Sequence, residues 1–146
     1  MVASVAFLVV AMQGAAAGRD APLPAGVEAV WDMDKAYREA TPTSERISIN
    51  GLWRWQPADD VSESVPADNW GYYKVPGPWS SNSQTLYSHP TWKSKNLRDS
   101  DVAWYQREVS IPDAWKGRRI AVYAEYLNSY AAVYLDGKKM GDMYFP

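Results

Sequence analysis

Residues 130–138 read Tyr130-Ala131-Ala132-Val133-Tyr134-Leu135-Asp136-Gly137-Lys138. Ala131, Val133 and Leu135 alternate along the run, so they share one face of a strand. Asp136-Gly137 then supplies two central residues that accept positive φ, the chemistry of a two-residue hairpin turn. Immediately upstream, Arg119 to Tyr126 repeats the alternation with Ile120, Val122 and Ala124. Before that, Trp104 to Ile111 forms a third strand, stopped by Pro112-Asp113. Short strands spaced about 8–12 residues apart indicate a β-sandwich or barrel.

The same chemistry extends towards the N-terminus. Ile47 and Ile49 alternate with Ser48, and Asn50-Gly51 offers a turn. Leu52 to Gln56 then places Trp53 and Trp55 on one strand face. Pro57 to Asp68 is polar and acidic and reads as a loop. Val75-Pro76-Gly77-Pro78 suits neither a helix nor a central strand. Ser80 to Asp101 is long and polar, and loops beyond about 15 residues often carry function.

Composition removes several function classes. The chain has 146 residues, 15 Lys plus Arg against 17 Asp plus Glu, one His and no Cys. A net charge of −2 and an acidic pI lack the basic footprint of a nucleic-acid binder. Without cysteine there is no thiol nucleophile and no disulfide, and a single His leaves almost no route to a zinc site. No cofactor and no bound metal are expected. Eight Trp and ten Tyr against two Phe give large rings with polar edges, suited to a β core or to stacking on sugars.

Met1 to Ala17 carries no charge, with an apolar run from Val5 to Met12 followed by Gly14-Ala15-Ala16-Ala17. This reads as an export leader cleaved after Ala17, although its start lacks Lys or Arg; a buried helix or a misassigned start codon is the other reading. The run is shorter than the roughly 20 apolar residues that span a bilayer as a helix. The expected location is therefore secreted or periplasmic, without a membrane span. Residues 18–44 read as a linker or N-terminal extension, in which Glu28 to Glu39 has a helical stripe interrupted by Asp34. Residues 45–146 form the folded domain.

The segment Asp101 to Gly141 resembles the N-terminal sugar-binding domain of glycoside hydrolase family 2. The resemblance lies in Ala103-Trp104-Tyr105-Gln106-Arg107-Glu108-Val109, Ile111-Pro112, Trp115-Lys116-Gly117-Arg118-Arg119-Ile120, and Asn128 to Lys138. Asn50-Gly51-Leu52-Trp53 and Val75-Pro76-Gly77-Pro78-Trp79 agree with it in order and spacing. The chain departs from the family pattern at Gln106, where Arg is common, and at Asp136, where Asn is common. The resemblance implies an all-β, jelly-roll-like β-sandwich. It also implies that both catalytic Glu residues lie in a barrel further along a longer polypeptide. On this reading the chain is a truncated, non-catalytic part of an exported β-glycosidase. Its partners are carbohydrate and the missing C-terminal domains of the same enzyme. A free-standing carbohydrate-binding module and a structural interaction domain are the alternatives.

No catalytic residue is assigned. Glu108 and Glu125 sit on strands with polar neighbours, as a solvated face does. The substrate-binding candidates are Trp79, Tyr87, Ser88, His89, Trp92 and Arg107. Aromatic faces stack on pyranose C–H faces, and Ser, His and Tyr hydrogen-bond hydroxyls. The resemblance implies a loop near Leu86 to Trp92 that reaches the sugar; Ser88 or His89 stands where the family places an Asn. Arg107 shares the apolar face of its strand, so it must be paired, either with a structural acid or with a sugar carboxylate or an inter-domain acid. Asp99-Ser100-Asp101 is spaced like part of a calcium loop but lacks its Gly and Glu, and reads as a solvated turn.

Overall fold

The computed structural model describes residues 5–11, 20–60, 64–77, 86–96, 99–125, 127 and 130–144. The fold is all-β. Its strands are β1 (Val5–Ala11), β2 (Arg38–Ala40), β3 (Glu45–Ile47), β4 (Gly51–Ala58), β5 (Gly71–Val75), β6 (Leu86–Tyr87), β7 (Val102–Glu108), β8 (Tyr130–Leu135) and β9 (Lys138–Tyr144). They build a seven-stranded sheet in the order β6-β5-β4-β7-β1-β8-β9, with β2 and β3 as a separate two-stranded sheet. This is consistent with a β-sandwich.

Each face of the large sheet carries a buried cluster. On one face, register places Trp53 opposite Tyr73 and Trp55 opposite Tyr105. There Trp55, Tyr73, Trp92 and Ala103 form one buried cluster, flanked by Val75, Leu86 and Tyr105. The other face holds Trp70, Val102, Trp104, Ala132 and Tyr134. Trp104 meets Tyr134 edge-on, with ring centroids 5.3 Å apart. That geometry suits the ring quadrupoles.

The hairpin read from residues 130–138 forms as expected. Asp136 and Gly137 have φ of 48° and 78°, and Leu135 pairs with Lys138 across them. Positive φ at both central positions matches the right-handed twist of the strands. Trp53 and Trp55 share one face of β4, and both are buried.

Several expectations are corrected. The strand expected over Arg119 to Tyr126 is not found in its described part: residues 119–125 carry no strand pairing, and Ile120, Val122 and Tyr123 are 45%, 44% and 73% exposed; Tyr126 lies outside the described residues. Alternation makes a segment able to join a sheet, but a strand also needs a free edge. The inner edges of β7 and β8 are both taken by β1. The stretch meets β3 instead, with Arg46 over the Tyr123 ring at 5.7 Å, and just upstream Trp115 Nε1 donates to Glu45 at 2.7 Å. The strand expected over Trp104 to Ile111 begins earlier and ends at Glu108.

Asn50-Gly51 does not fold the Ile47 and Trp53 segments onto each other. β3 pairs with β2, whereas β4 lies between β5 and β7. Pro57, read as the start of a loop, lies inside β4, beyond the last β4–β5 pair at Trp55–Gly71 and paired only with β7. A residue without an N–H is tolerated where a strand has one neighbour. Glu28 to Glu39 has a turn at residues 33–35 and then β2, not a helix.

The apolar run Val5–Ala11, read as the heart of a leader, lies as β1 in the middle of the large sheet. It runs parallel to both β7 and β8, whereas every other paired strand is antiparallel. Among the described residues, no helix is long and apolar enough to cross a membrane.

Candidate functional site

The candidate residues fall into separate groups. Trp79 lies outside the described residues. Tyr87 closes β6, paired with Tyr72, and Ser88 and His89 follow it, all three half-buried. His89 caps a local turn: its Nδ1 lies 2.8 Å from Thr91 Oγ1, and the Thr91 N–H donates to it at 3.3 Å.

Trp92 is a core residue, only 5% exposed. Its ring meets Trp55 edge-on and its Nε1 donates to the Asn69 carbonyl at 2.9 Å. At this burial, with its polar edge bonded to Asn69, the ring presents no exposed face for stacking. Gly71 makes room for it: a Cβ there would lie 2.3 Å from the Tyr87 carbonyl oxygen and 2.5 Å from the Trp92 ring.

Arg107 stands apart from this loop, on β7, three strands from β6. At the usual strand spacing that is about 15 Å. It is 6% exposed and donates to the carbonyls of Leu52 and Asn50, the latter at 3.4 Å. Gly51 between them has φ of 130°, and a Cβ there would sit 3.0 Å from Arg107 Nη2. Glycine is therefore required twice over, for conformation and for space. Arg107 Nε has no partner, and the structural ion pair expected for this residue is absent among the described residues. Burial pulls the guanidinium below its ordinary pKa. Arginine nonetheless stays charged.

Arg107 forms part of the wall of a cleft of about 570 Å³. Trp31, Tyr37 and Asn50 line it with Glu28 and Asp32. Trp31 Nε1 donates to the Ser48 carbonyl at 3.0 Å, which fixes its ring, and Tyr37 is 70% exposed. The sequence did not single out these residues as a site, because Trp31 and Tyr37 read there as part of a helical stripe interrupted by Asp34. Their backbone lies in an irregular stretch that only packing locates.

A second group missed from the sequence is ionic. Arg54 donates to Asp20 at 2.9 Å, Gln106 at 3.0 Å and Glu108 at 3.2 Å, and the Tyr72 hydroxyl donates to Asp20 at 3.2 Å. The N-terminal extension is held to the sheet through Asp20 and through the Ala21 N–H, which donates to the Trp70 carbonyl at 2.7 Å. Glu108 is thus engaged by Arg54.

Asp99 and Asp101 line a polar cleft of about 290 Å³ with Asp59, Lys95 and Asn96. Lys95 pairs with Asp59, and the Asn96 amide donates to Asp99 at 2.9 Å. Among the described residues, no group of three or more acidic, His or Cys side chains gathers as a metal site.

No family model matches the chain. No solved structure matches it. Over 99 residues, 68% of the chain, it is 24% identical to a protein of Formosa agariphila named "Putative beta-glucuronidase". The chain spans only 11% of that relative's length, so the likeness is to a small part of a much larger protein.

Proposed function

We propose that this chain is a non-catalytic carbohydrate-binding β-sandwich unit of an exported β-glycosidase of family 2. The carrying observation is the likeness to the named glucuronidase, which extends over about two-thirds of this chain. The pieces that resemble family 2 also fall on β4, β7 and the β8–β9 hairpin, elements of one sheet. The enzyme would hydrolyse terminal β-linked sugars with acid and nucleophile on other parts of the polypeptide. The chain's own share is to bind sugar and to brace those parts.

A direct test incubates the full chain with nitrophenyl β-glucuronide, β-galactoside and β-mannoside, and separately titrates it with mono- and disaccharides. The expected result is saccharide binding with no turnover. Sustained release of nitrophenol, or no binding of any saccharide, overturns the proposal.

One observation favours a second reading, a structural domain without a sugar site. Trp53, Trp55, Trp70, Trp92 and Trp104 are all buried, so most of the described tryptophan serves the core. The same titration separates the two readings.

A further inference from the structure

Residues 119–125 lie outside the large sheet, yet they have the composition of a central strand. Ile120 to Ala124 is an unbroken apolar run, bounded by Arg119 and Glu125. On a strand, Ile120, Val122 and Ala124 take one face and Ala121 and Tyr123 the other. Apolar residues on both faces suit a strand covered on both sides. Here the run faces water instead, with Ile120 and Val122 nearly half exposed and Tyr123 more so. Among the described residues, the backbone of 119–125 makes no hydrogen bond to other backbone. Entry into a sheet takes that apolar surface out of water and pairs those peptide groups.

One slot in the sheet fits the segment. β7 and β8 both run parallel to β1 between them, so β7 and β8 point the same way. Residues 119–125 lie between these two strands in sequence. A chain that leaves β7 and returns in the same direction as β8 must reverse twice. A middle strand running the other way does this with short, adjacent connections. In that place residues 119–125 pair antiparallel with both neighbours, as a meander. The remaining pairs of the large sheet are antiparallel too. The connections are residues 109–118 and 126–129, the second a hairpin loop of ordinary length. β1 fills the slot with seven residues, as many as 119–125 supplies. Parallel ladders are slightly the weaker kind per residue, so replacing two of them favours the exchange.

We infer that β1 and residues 119–125 are alternative occupants of the slot between β7 and β8. While β1 holds it, residues 119–125 stay outside. When β1 leaves, they enter as an antiparallel strand and complete a meander from β7 to β8. The run Val5–Ala11 is thus a plug in the sheet. On the export reading, cleavage after Ala17 is the event that withdraws it; the exchange itself does not rest on that reading.

The test uses the full chain carrying Leu8→Pro, followed by amide hydrogen exchange. Leu8 pairs with Tyr105 on one side and Val133 on the other, and proline in a central strand removes a ladder bond. The expected result is a folded chain in which the amides of 119–125 exchange at least about a hundredfold more slowly than in the unaltered chain, while those of 5–11 lose protection. Val122→Pro, outside the sheet in the unaltered chain, is expected to leave its melting temperature unchanged. Combined with Leu8→Pro, it is expected to lower the melting temperature clearly and to abolish the new protection. A Leu8→Pro chain that fails to fold overturns the inference, since residues 119–125 then do not take the slot. So does a folded Leu8→Pro chain whose 119–125 amides still exchange freely. Val122→Pro that destabilises the unaltered chain as much as the Leu8→Pro chain also overturns it. None of these readouts involves a saccharide, so the carbohydrate-binding reading stands or falls separately.

Discussion

The Trp92 ring meets the Trp55 ring edge-on, with centroids 5.5 Å apart and planes at 72°. The residue that a loop reading offers to solvent is therefore a keystone between the loop and β4. Trp92→Ala removes the ring and leaves a cavity, and large-to-small changes of this kind cost about 3–5 kcal/mol. Urea unfolding followed by fluorescence measures it. Loss below about 1 kcal/mol would show that the ring is not packed as described.

Gly71 tests the same junction from below. A Cβ there would collide with the Tyr87 carbonyl oxygen and the Trp92 ring, both nearer than 3.0 Å. The carbonyl is backbone and cannot step aside cheaply. Gly71→Ala is expected to lower the melting temperature clearly, by the equivalent of about 1–3 kcal/mol, in a calorimetric scan.

Arg54 joins Asp20 of the N-terminal extension to Gln106 and Glu108 of β7. Arg54→Leu strands the poorly exposed Asp20 carboxylate, whose side chain is 13% accessible. The expected cost is about 1–3 kcal/mol, since a partly buried carboxylate loses its charged donor and keeps only the Tyr72 hydroxyl. Combining Arg54→Leu with Asp20→Asn should recover part of it, with a coupling of about 0.5 kcal/mol or more. Strictly additive losses in a double-mutant cycle would refute the contact.

The turn at Asp136-Gly137 is a separate, local test. Gly137 has φ of 78°, and the turn requires that sign at both central residues. Gly137→Val introduces a β-branched side chain there, at about 1–2 kcal/mol. Amide exchange of β8 and β9 should accelerate while that of β4 and β5 stays slow.

Tyr72 supplies a pH prediction. Burial, and then the nearby Asp20 charge, raise its phenol above the ordinary value of 10. The unfolded chain therefore releases this proton at lower pH than the folded one. The stability it contributes is fully present below about pH 10 and is lost as pH rises through the raised folded value. Stability measured against alkaline pH should fall in that window, and Tyr72→Phe should flatten the fall. An unchanged slope would refute the assignment.

Local chemistry alone determined much of this protein. The β8–β9 hairpin needed only Asp136-Gly137 and flanking alternation, because turn dihedrals and strand faces are set by neighbouring residues. The shared face of Trp53 and Trp55 followed from the same two-residue period. Tertiary structure decided everything that depends on a partner distant in sequence. Residues 119–124 alternate as well as β8 does, yet stay outside the sheet because β1 holds the edges of β7 and β8. Trp92 was legible as an aromatic in a long loop, but its burial rests on Trp55 and Gly71, 37 and 21 residues away by their numbers. Arg107 was legible as a buried cation; that its bonds go to the Asn50 and Leu52 carbonyls and leave its charge facing a cleft was decided by packing across β4 and β7. A period along the chain reports which face a side chain takes, and only the folded sheet reports what stands opposite that face.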